Sequence, residues 1–361
     1  RSMEPRHDLH DGYQDGLEPL AALDLGRCGT IDELVRGMSR TSFGGRTVGE
    51  AADVLERMVR DPACGVVLTL SGAMTIAKMG LVICDMIEHG WIQGVVSTGA
   101  LMAHGFVEAA GGQHFKYDPR MGDDELYEKG YDRVYDTLEL ERSLDDVEII
   151  LSNVLRTVPP GTHFGSVDLH RWLGRWLTEN VEGRGVLKSA YAHGVPVYVP
   201  AFTDSEIGLD VALHIRRCRM AGIEPPVYDG FIDLEHYTQL ILSAKECGIF
   251  TIGGGVPRNW AQQVAPYLEI SKVRLKIDSP LRQFTYGVRL CPEPVHWGGL
   301  SGCTYIEGVS WGKFKHPDDG GRFSEGMADA TVTWPLIVKA LMERFEKDPP
   351  PKKSFAVRSA G

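Results

Sequence analysis

The sequence lacks several patterns that would assign it to a particular class of protein. Its seven cysteines are scattered without a Cys-x-x-Cys pair, so their spacing predicts neither a disulfide framework nor a zinc site. No apolar run approaches the roughly 18 residues that span a membrane, and the first residues contain no apolar core of a signal peptide. The twelve histidines show no metal-ligand spacing. We therefore expect a protein of the reducing cytoplasm, with no metal and no membrane partner.

An excess of positive charge is also missing, because 49 acidic residues outnumber 38 basic ones and give a net charge of −11. This balance argues against a nucleic-acid partner and favours cationic small molecules, although many soluble enzymes are equally acidic. The hydrophobic fraction of 43% is that of an ordinary globular protein. The chain can therefore bury a substantial core.

The sequence contains a strand followed directly by a helix, several times over. No Gly-x-Gly-x-x-Gly motif stands in the right setting, which disfavours a standard Rossmann dehydrogenase. Predicted strands lie at 65–70, 94–98, 195–200, 248–252, 272–277 and 287–290, and predicted helices include 48–59, with Thr47 as N-cap, 74–88, 137–147, 234–247 and 333–346. The repeat predicts an α/β fold with a parallel sheet covered by helices.

The ends of the chain differ from its middle. Residues 1–30 are polar and poorly periodic and are predicted to form an N-terminal arm, and 31–347 form a single domain. The segment 348–361 follows a helix, contains three consecutive prolines and two lysines, and is predicted to be disordered.

Small or polar residues follow four of the predicted strands. In open α/β sheets ligands bind at the C-terminal ends of the strands, where small residues let backbone N–H groups approach phosphates. The residues concerned are Ser71 and Gly72, Ser97 to Gly99, Thr203 and Asp204, and Gly253 to Gly255. Together they predict a nucleotide pocket in which Asp204 binds ribose hydroxyls; the alternative for Asp204 is a helix cap.

Lys313 is the candidate nucleophile. It closes the segment Glu-Gly-Val-Ser-Trp-Gly-Lys at 307–313, beside the ring of Trp311 and six residues after Glu307. A lysine attacks a carbonyl or imine carbon only as the neutral amine, and an apolar wall can lower its pKa by desolvation. The alternative is an ordinary solvated surface lysine.

These residues, together with Trp-Gly-Gly-Leu-Ser-Gly at 297–302, resemble the active-site segment of the deoxyhypusine synthase family. The resemblance implies a doubly wound, mostly parallel sheet with helices on both faces, an NAD cofactor, and a homotetramer with active sites at subunit interfaces. It also implies that Lys313 forms an imine with an aminobutyl group. The NAD-binding residues that it implies are Ser97, Thr98, Gly99, Asp204, Gly253, Gly254, Asp329 and Ala330, to which the strand-end pattern adds Ser71 and Gly72.

The sequence departs from the family at positions that bind the amine substrate. Ala103-His104 replaces two consecutive glutamates, Asn259 replaces a histidine, and Leu300 replaces an acidic residue. His104 joins Lys313 and Glu307 as a catalytic candidate. The predicted substrate-binding residues are Trp311, Asn259, Asp210, Gly298 and Ser301, with Glu206 as an alternative to Asp210 for holding an ammonium group.

The resemblance therefore implies an NAD-dependent transferase that moves an aminobutyl group from a polyamine to an acceptor amine, and we expect a small acceptor such as putrescine. Three alternatives are weighed: a deoxyhypusine synthase acting on a protein lysine, a non-catalytic NAD-binding oligomer, and an NAD-dependent deacylase. Retention of the whole 307–313 segment disfavours the non-catalytic oligomer. The absence of a zinc-type cysteine quartet and of an evident catalytic histidine disfavours the deacylase.

Overall fold

The computed structural model describes residues 8–353 and 355. Its helices are α1 (Ile31–Ser39), α2 (Phe43–Arg60), α3 (Gly80–Glu88), α4 (Gly99–Ala109), α5 (Asp123–Glu128), α6 (Glu141–Arg156), α7 (Ser166–Asn180), α8 (Val186–Ala192), α9 (Glu206–Met220), α10 (Gly230–Ser243), α11 (Gly255–Gln262), α12 (Val264–Leu275), α13 (Tyr305–Ser310) and α14 (Ala330–Lys347). Its strands are β1 (Cys64–Leu70), β2 (Gly94–Ser97), β3 (Phe115–Lys116), β4 (Tyr131–Val134), β5 (Thr137–Leu140), β6 (His163–Phe164), β7 (Val197–Tyr198), β8 (Val227–Tyr228), β9 (Glu246–Ile252), β10 (Phe284–Leu290) and β11 (Arg322–Gly326).

Six strands form one parallel sheet in the order β11-β10-β9-β1-β2-β7. Because every strand runs in the same direction, all the C-terminal strand ends lie along one edge. The first strand, β1, lies in the middle of the sheet. Strands β2 and β7 lie on one side of it, and the later strands β9, β10 and β11 lie on the other. The crevice predicted at this edge therefore receives residues from both halves of the sequence.

Both faces of the sheet are buried. Along β1, Val66 and Leu68 pack in one hydrophobic core, whereas Val67 points to a second core. The first core includes side chains of α2, α4 and α14, and the second includes side chains of α10, α11 and α12. Alternation of buried side chains between two cores is the arrangement of a doubly wound sheet. The predicted fold class, with helices on both faces, is confirmed.

A small antiparallel sheet, β3-β5-β4, projects from the main architecture between α4 and α6. Here the prediction of a helix over 137–147 is wrong for its first part, since Thr137–Leu140 forms β5 and the helix begins at Glu141. Glu139 on β5 is almost completely buried. The excursion therefore brings a buried carboxylate toward the main domain.

Three other local predictions are wrong. The strand predicted at 272–277 is the end of α12, the helix predicted from 74 begins at Gly80, and α2 begins at Phe43 after Ser42, so Thr47 is not its cap. The edge strand β11 was not predicted. Its sequence, Arg-Phe-Ser-Glu-Gly, is short and polar and pairs with β10 alone, which is typical of an edge strand.

The predicted arm and tail are partly described. Residues 8–30 contain two short 3-10 turns, Tyr13–Asp15 and Leu25–Arg27, before α1 begins at a Thr30 capping box. Lys353 in the tail donates hydrogen bonds to the carbonyl oxygens of Met58 and Cys64. The predicted domain boundaries, and disorder beyond 347, stay predictions, and residues 1–7, 354 and 356–361 lie outside the described part.

Within the described residues, no helix is long and apolar enough to cross a membrane.

Candidate active site

Two pairs of predicted cofactor residues meet at the C-terminal edge of the sheet. Gly254, after β9, donates its backbone N–H to Ser71 Oγ, after β1, at 2.9 Å. Thr98, after β2, donates its hydroxyl to the carbonyl oxygen of Gly72 at 3.0 Å. These bonds tie three neighbouring strand ends together. The structure therefore brings the predicted Ser71–Gly72, Ser97–Gly99 and Gly253–Gly254 segments into one crevice.

Gly254 has no room for a side chain. A Cβ atom on Gly254 would lie 2.4 Å from Ser301 Cα, a backbone atom of the 298–302 loop. Gly72, by contrast, has a φ of 68° and only Met74 Cε within 4 Å of its Cβ position. Gly254 is thus required by the packing of the protein itself, whereas Gly72 supplies a left-handed turn with open space beside it.

The two predicted aspartates have different roles in the local structure. Ser205, not Asp204, caps α9 by accepting the N–H of Gly208. Asp204 is exposed and its carboxylate makes no hydrogen bond to the rest of the described chain. Asp329 caps α14, accepting the N–H of Thr331 at 2.7 Å, and Ala330 is the first residue of that helix. Asp204 is therefore available to a ligand, while Asp329 already has a structural partner.

The backbone of Lys313 is held by hydrogen bonds on both sides. Its N–H donates to Gly308 O of α13, and its carbonyl oxygen accepts the N–H of Phe284, the first residue of β10. Gly312 before it has a φ of 71°, in the left-handed region that favours glycine. The Trp-Gly-Lys order thus produces a tight turn that redirects the lysine from the helix to the sheet.

The side chain of Lys313 is buried, and the residue is only 8% exposed. Its Nζ donates to Asn259 Oδ1 at 2.9 Å and lies 5.7 Å from the centre of the Trp311 ring. Burial lowers the pKa of Lys313 below that of a free lysine; the charge of Arg258 lowers it further, while Cys303 and Glu307 oppose the shift. A buried lysine without a carboxylate on its Nζ has the environment of an amine nucleophile.

Arg258 and Arg289 are two residues of the candidate site that the sequence did not indicate. Both are almost fully buried, and they donate to the carbonyl oxygens of Leu300 and Ser301 respectively. They therefore anchor the 298–302 loop, in which Gly298 and Ser301 were predicted to bind substrate. Arg258 also stacks over Tyr305 at 5.1 Å. The signal available in the sequence was an arginine five residues after Gly253, which gives no indication of burial.

The remaining predicted residues of the 307–313 segment flank Lys313. Glu307 lies in the first turn of α13, where its N–H donates to Thr304 Oγ1, and its side chain is exposed. Trp311 is also exposed, at 65%. Cys303 lies close to both Glu307 and Lys313, and burial is the main cause that raises the pKa of its thiol. We refer to Lys313, Asn259, Arg258, Cys303, Glu307 and Trp311 as the lysine cluster.

His104 lies in a second group, which we call the histidine cluster: His104, His114 and Glu139. His104 Nδ1 is in close contact with Glu139 Oε2, and His114 Nε2 lies 3.2 Å from Glu139 Oε1. Although burial disfavours the imidazolium, Glu139 raises the pKa of His104. Burial acts to raise the pKa of Glu139, but the two histidines hold it at about 2. The sequence indicated neither Glu139 nor His114.

Asp210, predicted to bind an ammonium group, lies on α9 with Glu206 one turn before it. Burial, followed by the charges of Glu148 and Glu206, raises the pKa of Asp210 to about 6. No hydrogen bond or ion pair joins Asp210 or the histidine cluster to the lysine cluster among the described residues. The catalytic role of His104 and the binding role of Asp210 therefore stay predictions.

Comparison with known proteins agrees with this arrangement. The family model for deoxyhypusine synthase matches residues 33–341. A Methanosarcina mazei protein named "Probable deoxyhypusine synthase 2" is 32% identical over 316 residues, covering 87% of each chain. A Chlorobaculum parvum protein named "Deoxyhypusine synthase-like protein" is 30% identical over 358 residues, covering 98% of this chain and 97% of that protein.

One solved structure, from Entamoeba histolytica and provisionally assigned as a deoxyhypusine synthase, superposes with a TM-score of 0.56 at 14% identity. The match covers 89% of this chain and 96% of the other, and it supports the doubly wound fold. The family assignment follows from the sequence matches over most of the chain. The chain belongs to the deoxyhypusine synthase family of transferase enzymes.

Proposed function

We propose that this protein is an NAD-dependent transferase that moves an aminobutyl group from a polyamine donor, through an imine on Lys313, to a small acceptor amine. The observation that carries the proposal is the buried Lys313, whose Nζ donates to a neutral amide, Asn259, beside the Trp311 ring. Desolvation favours the neutral amine, which is the form that attacks carbon.

In the proposed reaction Lys313 is the nucleophile and Glu307 binds the substrate. When the donor carbon next to nitrogen has been oxidised to an iminium, the lone pair of Lys313 Nζ adds to that carbon. The other part of the polyamine leaves as an amine, and the aminobutyl group stays on Lys313 as an imine. An acceptor amine then adds to the same carbon and displaces Lys313 Nζ. Glu307 offers a carboxylate to the free ammonium end of the chain.

NAD would supply the hydride acceptance that oxidises the donor and the hydride return that reduces the product imine. The residues present fit this cofactor. Asp204 has a free carboxylate at a strand end, where ribose hydroxyls are bound in open α/β folds. Thr98 caps α4, so the N-terminus of that helix faces the same crevice as Gly72 and Gly254.

Substitution of Asp204 by alanine or of Gly254 by valine is expected to weaken NAD binding. The first change removes a charged ribose partner, and a loss of about 1.5–3 kcal/mol corresponds to roughly 10- to 100-fold in affinity. The second pushes the Ser301 backbone away from the strand end. Calorimetric titration with NAD measures both effects.

Gly183→Val is the matched control, because Gly183 has no atom within 4 Å of its Cβ position and does not have a positive φ. NAD affinity equal to that of the parent protein in both Asp204→Ala and Gly254→Val would place the cofactor elsewhere.

Three substitutions relative to the family support a small acceptor. Ala103 and His104 stand where two glutamates would attract a second ammonium group, and the His104 charge is matched internally by Glu139. Asn259 replaces a histidine and contacts Lys313 directly. The net charge of −11 still attracts di- and polycations through its field. Putrescine is thus the proposed acceptor, with a homospermidine-type product.

The test is incubation of the protein with NAD and spermidine, with putrescine, agmatine or a translation-factor precursor protein as acceptor, followed by mass analysis. We expect product with putrescine. Agmatine belongs in the panel because its planar guanidinium could stack on an exposed ring such as Trp311. Aminobutyl transfer to the protein lysine, without reaction on free diamines, would instead identify a deoxyhypusine synthase.

We also propose that the active protein is a homotetramer with sites at subunit interfaces. Several large apolar side chains in the chain segment 297–311 are at least 48% exposed: Trp297, Leu300, Ile306 and Trp311. Exposed apolar surface of this kind is typical of an interface. A second copy could cover this surface and add the residues that one chain does not bring to Lys313.

A further inference from the structure

We propose that the histidine cluster is a binding site for one divalent transition-metal ion of the zinc class. The ligand atoms of His104, His114 and Glu139 all lie within 4.8 Å of one another. The three side chains are buried, with exposures of 10%, 1% and 1%. This proposal can be tested independently of the proposed aminobutyl transfer, because metal occupancy can be measured without turnover.

The contact between His104 and Glu139 is the first argument. His104 Nδ1 and Glu139 Oε2 are close neighbours, yet neither atom has a hydrogen-bond partner of acceptable geometry anywhere in the described chain. Buried polar atoms normally have a hydrogen-bond partner or another compensating group. A cation bound between the three side chains would supply one to both atoms.

The ligand set is the second argument. Two imidazoles and one carboxylate are the protein ligands of zinc sites that leave a fourth position open. Imidazole ligands favour zinc and its neighbours over magnesium or calcium, which prefer oxygen ligands alone. In a tetrahedral site with bonds of about 2.0–2.2 Å the ligand atoms stand about 3.3 Å apart. The observed ligand atoms, all within 4.8 Å of one another, would have to adjust to that spacing.

The charge around Glu139 is the third argument. Its carboxylate is 1% exposed, and no arginine or lysine pairs with it in the described structure. A buried carboxylate requires a compensating positive charge. Without a metal only the protonated forms of His104 and His114 supply that charge, whereas a divalent cation supplies it with both imidazoles neutral. Glu206 at the start of α9 also has a buried Oε2 without a hydrogen-bond partner among the described residues.

One neighbour must rearrange. Lys78 Nζ lies 3.2 Å from His114 Nδ1, and this nitrogen carries the proton when Nε2 binds a metal. Lys78 is half exposed and already lies 2.7 Å from Glu108, so its ammonium can remain on that carboxylate. Apart from the adjustment of the three ligand side chains, metal binding therefore needs only the rotation of this surface lysine.

The ion would connect three separate parts of the chain. His104 lies on α4, His114 lies before β3, and Glu139 lies on β5. Binding would thus fasten the small antiparallel sheet to the helix that starts at the predicted NAD crevice. It would also make His104 a ligand. The ligands come from positions 104, 114 and 139, so no local spacing motif in the sequence could reveal them.

The test uses protein made without a polyhistidine tag, stripped with a chelator and then titrated with Zn²⁺ or Co²⁺. We expect one ion per chain, a visible absorption spectrum of four-coordinate Co²⁺, and a higher melting temperature with the ion. Glu139→Gln and His114→Gln should each lower the affinity by at least about 100-fold. His316→Gln is the control, since His316 is an exposed histidine with Asp318 at 3.3 Å.

Parent protein that binds less than half an equivalent of either ion at micromolar concentration overturns the proposal, as does affinity in Glu139→Gln and His114→Gln equal to that of the parent. The first measurement needs no variant, so it decides the question even if a substitution prevents folding.

Discussion

Lys313→Ala and Lys313→Arg are expected to abolish aminobutyl transfer, with a loss on the order of 10⁴-fold or more. Alanine removes the nucleophile. Arginine keeps the charge and most of the length, but its guanidinium stays protonated and cannot form an imine. NAD binding should persist in both variants, because the predicted cofactor residues lie at other strand ends. Product formation by mass analysis and NAD titration give the two readouts.

Lys315 provides the control for this pair of variants. It lies two residues away and is partly buried, but its Nζ pairs with Glu246 at 2.6 Å, outside the lysine cluster. Lys315→Arg should retain turnover. Borohydride added during turnover should fix an aminobutyl group on Lys313 alone. Substantial activity in Lys313→Ala, or a stable adduct on another lysine, would refute the proposed intermediate.

The pH dependence follows from the environment of the lysine. Burial lowers the pKa of Lys313, so a larger fraction is neutral at a given pH than for free lysine, whose pKa is about 10.4. Turnover should therefore rise with pH as Lys313 loses its proton. The midpoint of this rise should lie at a lower pH than the reference pKa of free lysine.

Local features of the fold and site could be read from the sequence because they depend on neighbouring residues. The strands near 65–70, 94–98 and 248–252 are continuous apolar runs ended by glycine or serine, and the structure confirms them. The 307–313 segment is likewise local, since Gly312 turns the chain directly between Trp311 and Lys313.

Features that depend on distant contacts could not be read. Arg258 and Arg289 contact the 298–302 loop only in the folded chain. Glu139 lies on the small antiparallel sheet and contacts His104 of α4. The incorrect strand at 272–277 shows a related limit. Lys-Val-Arg-Leu-Lys-Ile alternates as a strand does, but Val273 and Leu275 are 71% and 69% exposed. The alternation has no core to face, and the helix continues through most of it.

The second large effect is expected on stability, at Arg344 of α14. Its side chain is 1% exposed and pairs with Asp32 of α1 and with Asp53 and Glu56 of α2. These ion pairs join the last helix of the domain to the first two. Because the guanidinium is removed from water, its pairing with the three carboxylates is decisive for the packing of these helices.

Arg344→Met should lower the free energy of unfolding by about 3–5 kcal/mol, the usual cost of leaving a buried charge without its partner. Methionine fills most of the volume of the arginine side chain. The loss of unfolding free energy therefore reflects the removed charge. Of the three carboxylates, Asp32 should be affected most, because it is only 6% accessible to solvent. Chemical denaturation at one fixed protein concentration measures the change and keeps any effect of assembly constant.

Lys339→Met places methionine on the same helix at an ion pair whose lysine is half exposed, where Lys339 lies 3.4 Å from Glu343. It should change the unfolding free energy by less than about 1 kcal/mol. Adding Asp32→Asn to Arg344→Met should recover part of the loss, because it removes the most buried of the three carboxylates that pair with Arg344. If Arg344→Met were no more destabilising than Lys339→Met, the existing pairs of Arg36 with Asp32 at 3.0 Å and of Arg60 with Glu56 at 2.8 Å would be sufficient to compensate these carboxylates, and the decisive role of Arg344 would be refuted.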